Sequence, residues 1–273
     1  MKDSWPILSL FVPHGSFDGH ATGGPGRAPL KERCAASLFK ILLSYKFMHV
    51  VILAAGKGTR LAPLTTETPK PLISILGKTI LDRILESLPP IITDVFIITQ
   101  YREEQIHSYC KSHPRASSIR CVSQGQMSGT YGALVSAAAD ITSPFLVING
   151  DDVHSTNDLM RLLEHPRAFG VARRKSHGYH AIEKDSKGNF TNMRQQTEHE
   201  EQQGVLIATG AYVLDSDFFK LPAKQLKSGE YGIPHTLFAS KDIYPVHVVD
   251  MPDWVPVNTP EDLKEAEKMI ISL

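Results

Sequence analysis

Residues 51–72 read VILAAGKGTRLAPLTTETPKPL. An apolar run, Val51 to Ala55, passes straight into Gly56, Lys57, Gly58, Thr59 and Arg60, and then into a stretch holding Pro63, Pro69 and Pro71. An apolar run without polar alternation is the pattern of a strand buried on both faces of a parallel sheet. The glycines that end it then stand at the carboxyl edge of that sheet, where open α/β sheets bind ligands. A dinucleotide-binding turn requires G-x-G-x-x-G opening directly into a helix; here the third glycine is missing and the prolines forbid a regular helix. A Walker A loop, G-x-x-x-x-G-K-[ST], is also absent. What remains is a long loop whose glycines let backbone N–H groups approach an anion, with Arg60 available for bidentate phosphate contacts. Lys70 lies between two prolines, which push it toward extended geometry and aim its ammonium. Lys57 reads equally well as a solvated charge.

The same alternation continues outward. The runs HVVILAA (49–55), DVFIITQ (94–100), SIRCVSQ (118–124) and PFLVING (144–150) read as strands, with amphipathic segments such as TILDRILESL, REEQIHSYCKS and GALVSAAAD between them. This βαβαβ order predicts a doubly wound, Rossmann-like α/β fold with a mixed, mostly parallel sheet, built as a single catalytic domain over residues 48–273. Further strands are expected at 168–174, 179–183, 205–214 and 243–249, as a mixed extension of the sheet that covers the substrate. A closing helix is expected to start at Thr259 and Pro260.

Residues 1–47 differ in kind, rich in Gly, Pro, His and Ala without a sustained apolar period, and are expected to be a disordered N-terminal extension ahead of Met48. The apolar segment 37–55 is interrupted by Lys40, Lys46 and His49, and the N-terminus has no clear cleavage site, so neither a membrane span nor a secretory signal is expected. Lys plus Arg and Asp plus Glu balance at 29 each, which argues against a general affinity for nucleic acid or acidic membranes and makes any phosphate site local. Three cysteines without metal-ligand or CxxC spacing suit a reducing cytoplasm. The sequence leaves oligomeric state open, a homo-oligomer included.

The stretch LAAGKGTRLAPLTTETPKPLISILGKTILDRILESL resembles the opening of the sugar-phosphate nucleotidyltransferase superfamily, the NDP-sugar pyrophosphorylases, whose pattern runs L-A-A-G-x-G-T-R-L-x-P-L-T and then P-K-P-L. The resemblance extends over residues 48–273. It implies a nucleotide site drawn from Ala54, Ala55, Gly56, Gly58, Thr59 and Arg60, with Arg60 on the phosphates of an NTP and Lys70 on the phosphate of a second substrate. A left-handed β-helix acyltransferase domain is not expected.

Three further constellations complete the reading. Asp151 and Asp152 end a buried strand in VINGDD, where a carboxylate can hold Mg²⁺ that keeps waters and bridges substrate phosphates, or can instead cap the helix near Ser155. The resemblance points to Asp151 as the metal ligand. In QGQMSGTYGALVSA, Gly129, Gly132 and Thr130 let backbone pass near a planar base, and Gln124 carries donor and acceptor for a base edge; the resemblance assigns base reading to Gln124 with Gly129. The segment DWVPVNTPEDL resembles the family's W-x-D-V-G-T-P, but Pro256 stands where the metal-binding aspartate would, leaving Asn258 as a substitute oxygen donor or as part of the cap at Thr259 and Pro260. Ala208 stands where many members carry a sugar-contacting asparagine. Glu230 and His235 are expected on the acceptor side. The expected reaction joins an NTP to a small phosphate monoester, most simply a sugar 1-phosphate, releasing pyrophosphate, with Arg60, Lys70 and Asp151 as catalytic groups and Mg²⁺ as cofactor. Transfer of a cytidylyl group to an alcohol phosphate such as phosphocholine, or nucleotide binding with weakened catalysis, are the alternatives.

Overall fold

In the computed structural model, which describes residues 48–141, 144–175 and 178–272, Met48–Leu53 forms an interior strand, β1. Its side chains alternate between two cores: Met48, Val50 and Ile52 pack into one and Val51 into the other, all fully buried. Burial on both faces is why the run carries no polar alternation. Thr79 and Asp82 then form a reciprocal cap for α1 (Ile80–Ser87), which buries Ile80, Leu81, Ile84 and Leu85 against the first core.

The chain continues through β2 (Ile92–Thr99), α2 (Glu103–Ser112) and β3 (Ile119–Ser123), each strand parallel to its neighbour. After α3 (Gly129–Val135) it returns as β4 (Phe145–Asn149) on the opposite side of β1, again parallel. Beyond it come α4 (Thr156–Leu162), β5 (Ala168–Arg174), the hairpin β6 (His180–Lys184) and β7 (Phe190–Gln195), α5 (Glu198–Gln203), β8 (Val205–Leu214), a 3-10 turn (Ser216–Lys220), α6 (Ile233–Ala239), β9 (His247–Asp250) and α7 (Pro260–Ser272), with a short ladder joining Asp152–Val153 to Val255–Pro256. The seven-stranded sheet runs β9-β5-β8-β4-β1-β2-β3, and only β8 is antiparallel to its neighbours. The predicted doubly wound, mostly parallel sheet is therefore present.

Strand order reverses between β1 and β4, so a crevice opens beyond their carboxyl ends, the usual ligand position in such sheets. Leu53 is in register with Asn149, and the Gly150 N–H donates to the Leu53 carbonyl at 2.9 Å. A side chain at Gly150 would stand 2.8 Å from that carbonyl, so glycine is what lets the two strand ends leave the sheet side by side.

Four expectations need correction. The loop after β1 is not free of helix: single 3-10 turns at Thr59–Leu61 and Lys70–Leu72 flank a four-residue helix, Leu64–Glu67. The prolines limit each piece to about a turn, and Lys70 opens the second 3-10 turn rather than lying extended. Second, β7 and α5 were not foreseen. No residue of α5 is buried, so it has no apolar period, and its reciprocal Thr197–Glu200 cap supports it instead. Third, the strand expected at 243–249 is the shorter His247–Asp250. Fourth, neither Asp151 nor Asp152 caps α4; the Ser155 hydroxyl accepts from Asp158 N at 3.1 Å. The expected disordered extension, 1–47, lies outside the described residues. Among the described residues no helix is long and apolar enough to cross a membrane.

Candidate active site

Beyond the carboxyl ends of β1 and β4, four of the sequence-predicted residues converge. The Lys70 ammonium donates to Asp151 Oδ2 at 2.5 Å and to Asn258 Oδ1 at 2.9 Å, and Arg60 Nη2 donates to the same Asn258 oxygen at 3.0 Å. Lys70 is buried, its side chain only 8% exposed, whereas the Asp151 side chain keeps 31% of its surface open. A buried ammonium requires such partners, since an unpaired one would be driven to neutrality. The rim therefore sets two cations against one accessible carboxylate, an arrangement suited to an anionic ligand.

Local structure explains how Lys70 arrives there. Gly58 is left-handed (φ 63°), and a Cβ on it would sit 3.0 Å from Lys70 Cβ and 3.1 Å from Thr65 Cγ2. The Thr65 hydroxyl donates to the Gly58 carbonyl at 2.8 Å, closing the loop on itself. Gly58 is thus required by packing against Lys70. Gly56 is different: nothing lies within 4 Å of where its Cβ would be, so this part of the loop faces open space. Ala54 and Ala55 are buried just past β1, while Lys57, Thr59 and Arg60 are exposed. No acceptor among the described residues takes the N–H groups of Gly56, Lys57 or Gly58.

Asn258 arrives on a segment held from beneath. Asp152 is buried and accepts from the Trp254 indole N–H at 2.8 Å and from Asn149 Nδ2 at 3.0 Å, while Pro256 pairs with Asp152 across a two-residue ladder. Burial first, and then the Asp151 charge, push the Asp152 carboxyl well above the ordinary carboxylate range. Asp152 anchors the Trp254 segment and is no longer a candidate metal ligand, because both its oxygens face protein donors in the interior. The Asn258 carbonyl accepts from both Lys70 and Arg60, while its backbone N–H and that of Thr259 donate to the capping carboxylate of Asp262 at 2.8 and 2.9 Å. Among the described residues no group of three or more His, Cys, Asp or Glu side chains is arranged to hold a metal. The one carboxylate of Asp151 fits an ion that keeps its waters and arrives with a polyphosphate.

The remaining predicted residues stand elsewhere. Gln124 follows β3, and its side-chain amide donates to the Met127 carbonyl at 2.8 Å. Gly129 (φ 86°) and Gly132 are demanded by protein: added Cβ atoms would lie 2.4 Å from the Tyr231 carbonyl and 2.1 Å from the Met127 carbonyl. The Thr130 hydroxyl accepts from Ile233 N at 3.0 Å, fixing the start of α6. No hydrogen bond among the described residues joins these four to Arg60, Lys70 or Asp151. Ala208 lies on β8 beside a register shift, Glu230 is exposed, and the His235 ring meets the edge of the His180 ring at 5.1 Å. Sequence reasoning missed Tyr179, whose hydroxyl lies 3.1 Å from Asn258 Nδ2, and Thr65; no local pattern marks either.

The family model for Nucleotidyl transferase matches residues 49–272. The chain belongs to the nucleotidyl transferase family. The resemblance seen in its opening loop is thereby borne out. This nucleotidyl transferase is 33% identical over 229 residues to the bifunctional protein GlmU of Methanocaldococcus jannaschii, an alignment covering 82% of this chain and 54% of that protein, so it spans about half the length of that relative. In fold it is similar to a UDP-glucose pyrophosphorylase complexed with UDP-glucose (TM-score 0.68, 20% identity, 83% of this chain and 99% of that one). It is equally similar to the inositol-1-phosphate CTP transferase from T. maritima (TM-score 0.68, 17% identity, 82% and 95%).

One buried group near this nucleotidyl transferase's site predicts acid sensitivity. His154 is fully enclosed, neither ring nitrogen has a hydrogen-bond partner, and burial lowers its pKa from 6.5 to about 3. The unfolded chain takes up this proton near pH 6.5, and the folded chain does so only near pH 3, so stability falls as pH drops through that window. Asp158, raised by burial to about 6, acts oppositely, losing stability as pH rises through that value. The His154 contribution is therefore read as a difference: relative to His154→Leu, the parent protein should lose about 3–5 kcal/mol of urea-unfolding stability between pH 7 and pH 3. Parallel pH profiles would refute this.

Proposed function

We propose that the protein joins an NTP to a small phosphate monoester, most simply a sugar 1-phosphate, and releases pyrophosphate, giving an NDP-sugar. The convergence of Arg60, Lys70 and Asp151 at the switch point between β1 and β4 carries this reading. The acceptor phosphate is itself the nucleophile: one of its oxygens attacks the α-phosphorus of the NTP, the bond to the bridging oxygen breaks, and pyrophosphate leaves with that electron pair. Alignment and charge neutralisation are then the main demands on the protein. The open loop at Gly56–Gly58 offers N–H groups to the triphosphate, and Arg60 adds a guanidinium. Lys70 reduces the repulsion between the two anions. Asp151 would hold Mg²⁺ arriving with the NTP, which supplies charge neutralisation at the phosphates.

A second acceptor class, an alcohol phosphate used with CTP, is favoured by Ala208, which offers a sugar no side-chain hydrogen bond. Both readings are tested by pyrophosphate release with Mg²⁺, using ATP, CTP, GTP, UTP and dTTP against a panel of sugar 1-phosphates and alcohol phosphates. One productive pair is expected. Nucleotide binding with no release across the panel would refute the catalytic reading.

A further inference from the structure

Asn258 presents a chemical problem that the structure resolves with one residue. Its carboxamide has two faces of nearly equal size, one accepting and one donating. Lys70 Nζ and Arg60 Nη2 can only donate, so the atom between them must be oxygen, and an amide turned over would aim its own N–H groups at two cations. Nothing in the shape of the side chain prevents that turn. The outer face, Nδ2, meets the hydroxyl of Tyr179 at 3.1 Å, from a segment 79 residues away and just ahead of β6. Burial, and then the Asp152 charge, raise this phenol above its ordinary value while the Arg60 guanidinium beside it lowers it, so the hydroxyl stays protonated and its oxygen lone pairs are what it offers Nδ2. We infer that Tyr179 is a positioning residue: by accepting from Asn258 Nδ2 it fixes the amide so that Oδ1 holds Arg60 and Lys70 together, ready for a polyphosphate. The inference rests on the phosphate-binding part of the function proposed above and is independent of catalysis.

The test is a double-mutant cycle read by calorimetric binding of inorganic tripolyphosphate, which carries no base and undergoes no transfer. Tyr179→Phe removes the acceptor and keeps the ring, and should weaken tripolyphosphate binding about 3–10-fold, the usual worth of one hydrogen bond. Asn258→Ala should weaken it at least as much. In the Asn258→Ala protein, adding Tyr179→Phe should cause a clearly smaller loss than in the parent, since no amide is left to orient and only the direct contact with Arg60 remains. An equal loss in both backgrounds would overturn the inference, as it would mean that Tyr179 acts on the ligand or on the fold directly. Unaltered binding in Tyr179→Phe would overturn it too. Pyrophosphate release by the parent protein reports separately on the catalytic reading. Silence there with an intact cycle would remove the reaction and keep the positioning role.

Discussion

Lys70→Ala will lower turnover about 10²- to 10³-fold while changing the KM for NTP far less, by analogy with the loss of other preorganised charge-stabilising donors. The expectation comes from how Lys70 is held. Its ammonium is buried, close to both Asp151 and Asn258, and its stem packs against Gly58 in the loop that faces open space. A charge fixed in this way needs no reorganisation when two phosphates meet, whereas a flexible surface lysine would have to be ordered first. Arg60 remains in the variant, so triphosphate binding persists and the loss should appear in kcat. The buried position also creates a risk of structural damage, so unfolding of the variant should be followed in parallel. A correctly folded Lys70→Ala protein with unchanged kcat at saturating substrates would remove Lys70 from the chemistry.

A large stability effect is expected at Gly210→Ala. Gly210 has φ 75° and lies where β8 shifts register against β5, between Ala208 and Tyr212. A Cβ there would stand 2.2 Å from Asn149 Nδ2 and 2.3 Å from Asp152 Oδ2, at the end of β4. Left-handed strain of about 1–3 kcal/mol and overpacking of about 1–3 kcal/mol combine to an expected loss of about 3 kcal/mol or more. Gly229→Ala is the control, because its φ is 88° but nothing lies within 4 Å of the added carbon, so it carries the strain alone. Urea midpoints compare the two. If Gly210→Ala loses no more stability than Gly229→Ala, the close packing of the bulge on Asp152 is not a constraint. The same substitution should also disturb the Asp152–Trp254 bond that carries Asn258 to the site, so tripolyphosphate affinity should fall with stability.

Much of the architecture was legible because its determinants are local. Burial on both faces makes β1, β2 and β4 read as unbroken apolar runs, and the Thr79–Asp82 cap marks the start of α1 within four residues. The short β7 and the solvent-facing α5 escaped because neither presents an apolar period, and the 3-10 turn at Lys70 escaped because both flanking prolines point to extended geometry, whereas Lys70 opens a single turn between them.

The division at the site has the same physical root. Sequence alone determined that one loop carries Gly58, Arg60 and Lys70 beyond a buried strand, since glycine freedom, proline restriction and charge are properties of the residues and their neighbours. Only the tertiary structure decided what those cations face. Asn258 reaches Lys70 across 188 residues, Tyr179 reaches Asn258 across 79, and Asp152 turns inward to Trp254 while its neighbour Asp151 remains at the rim. Which oxygen meets which ammonium follows from where the chain brings polar groups out of water together, and no spacing along the sequence encodes that convergence.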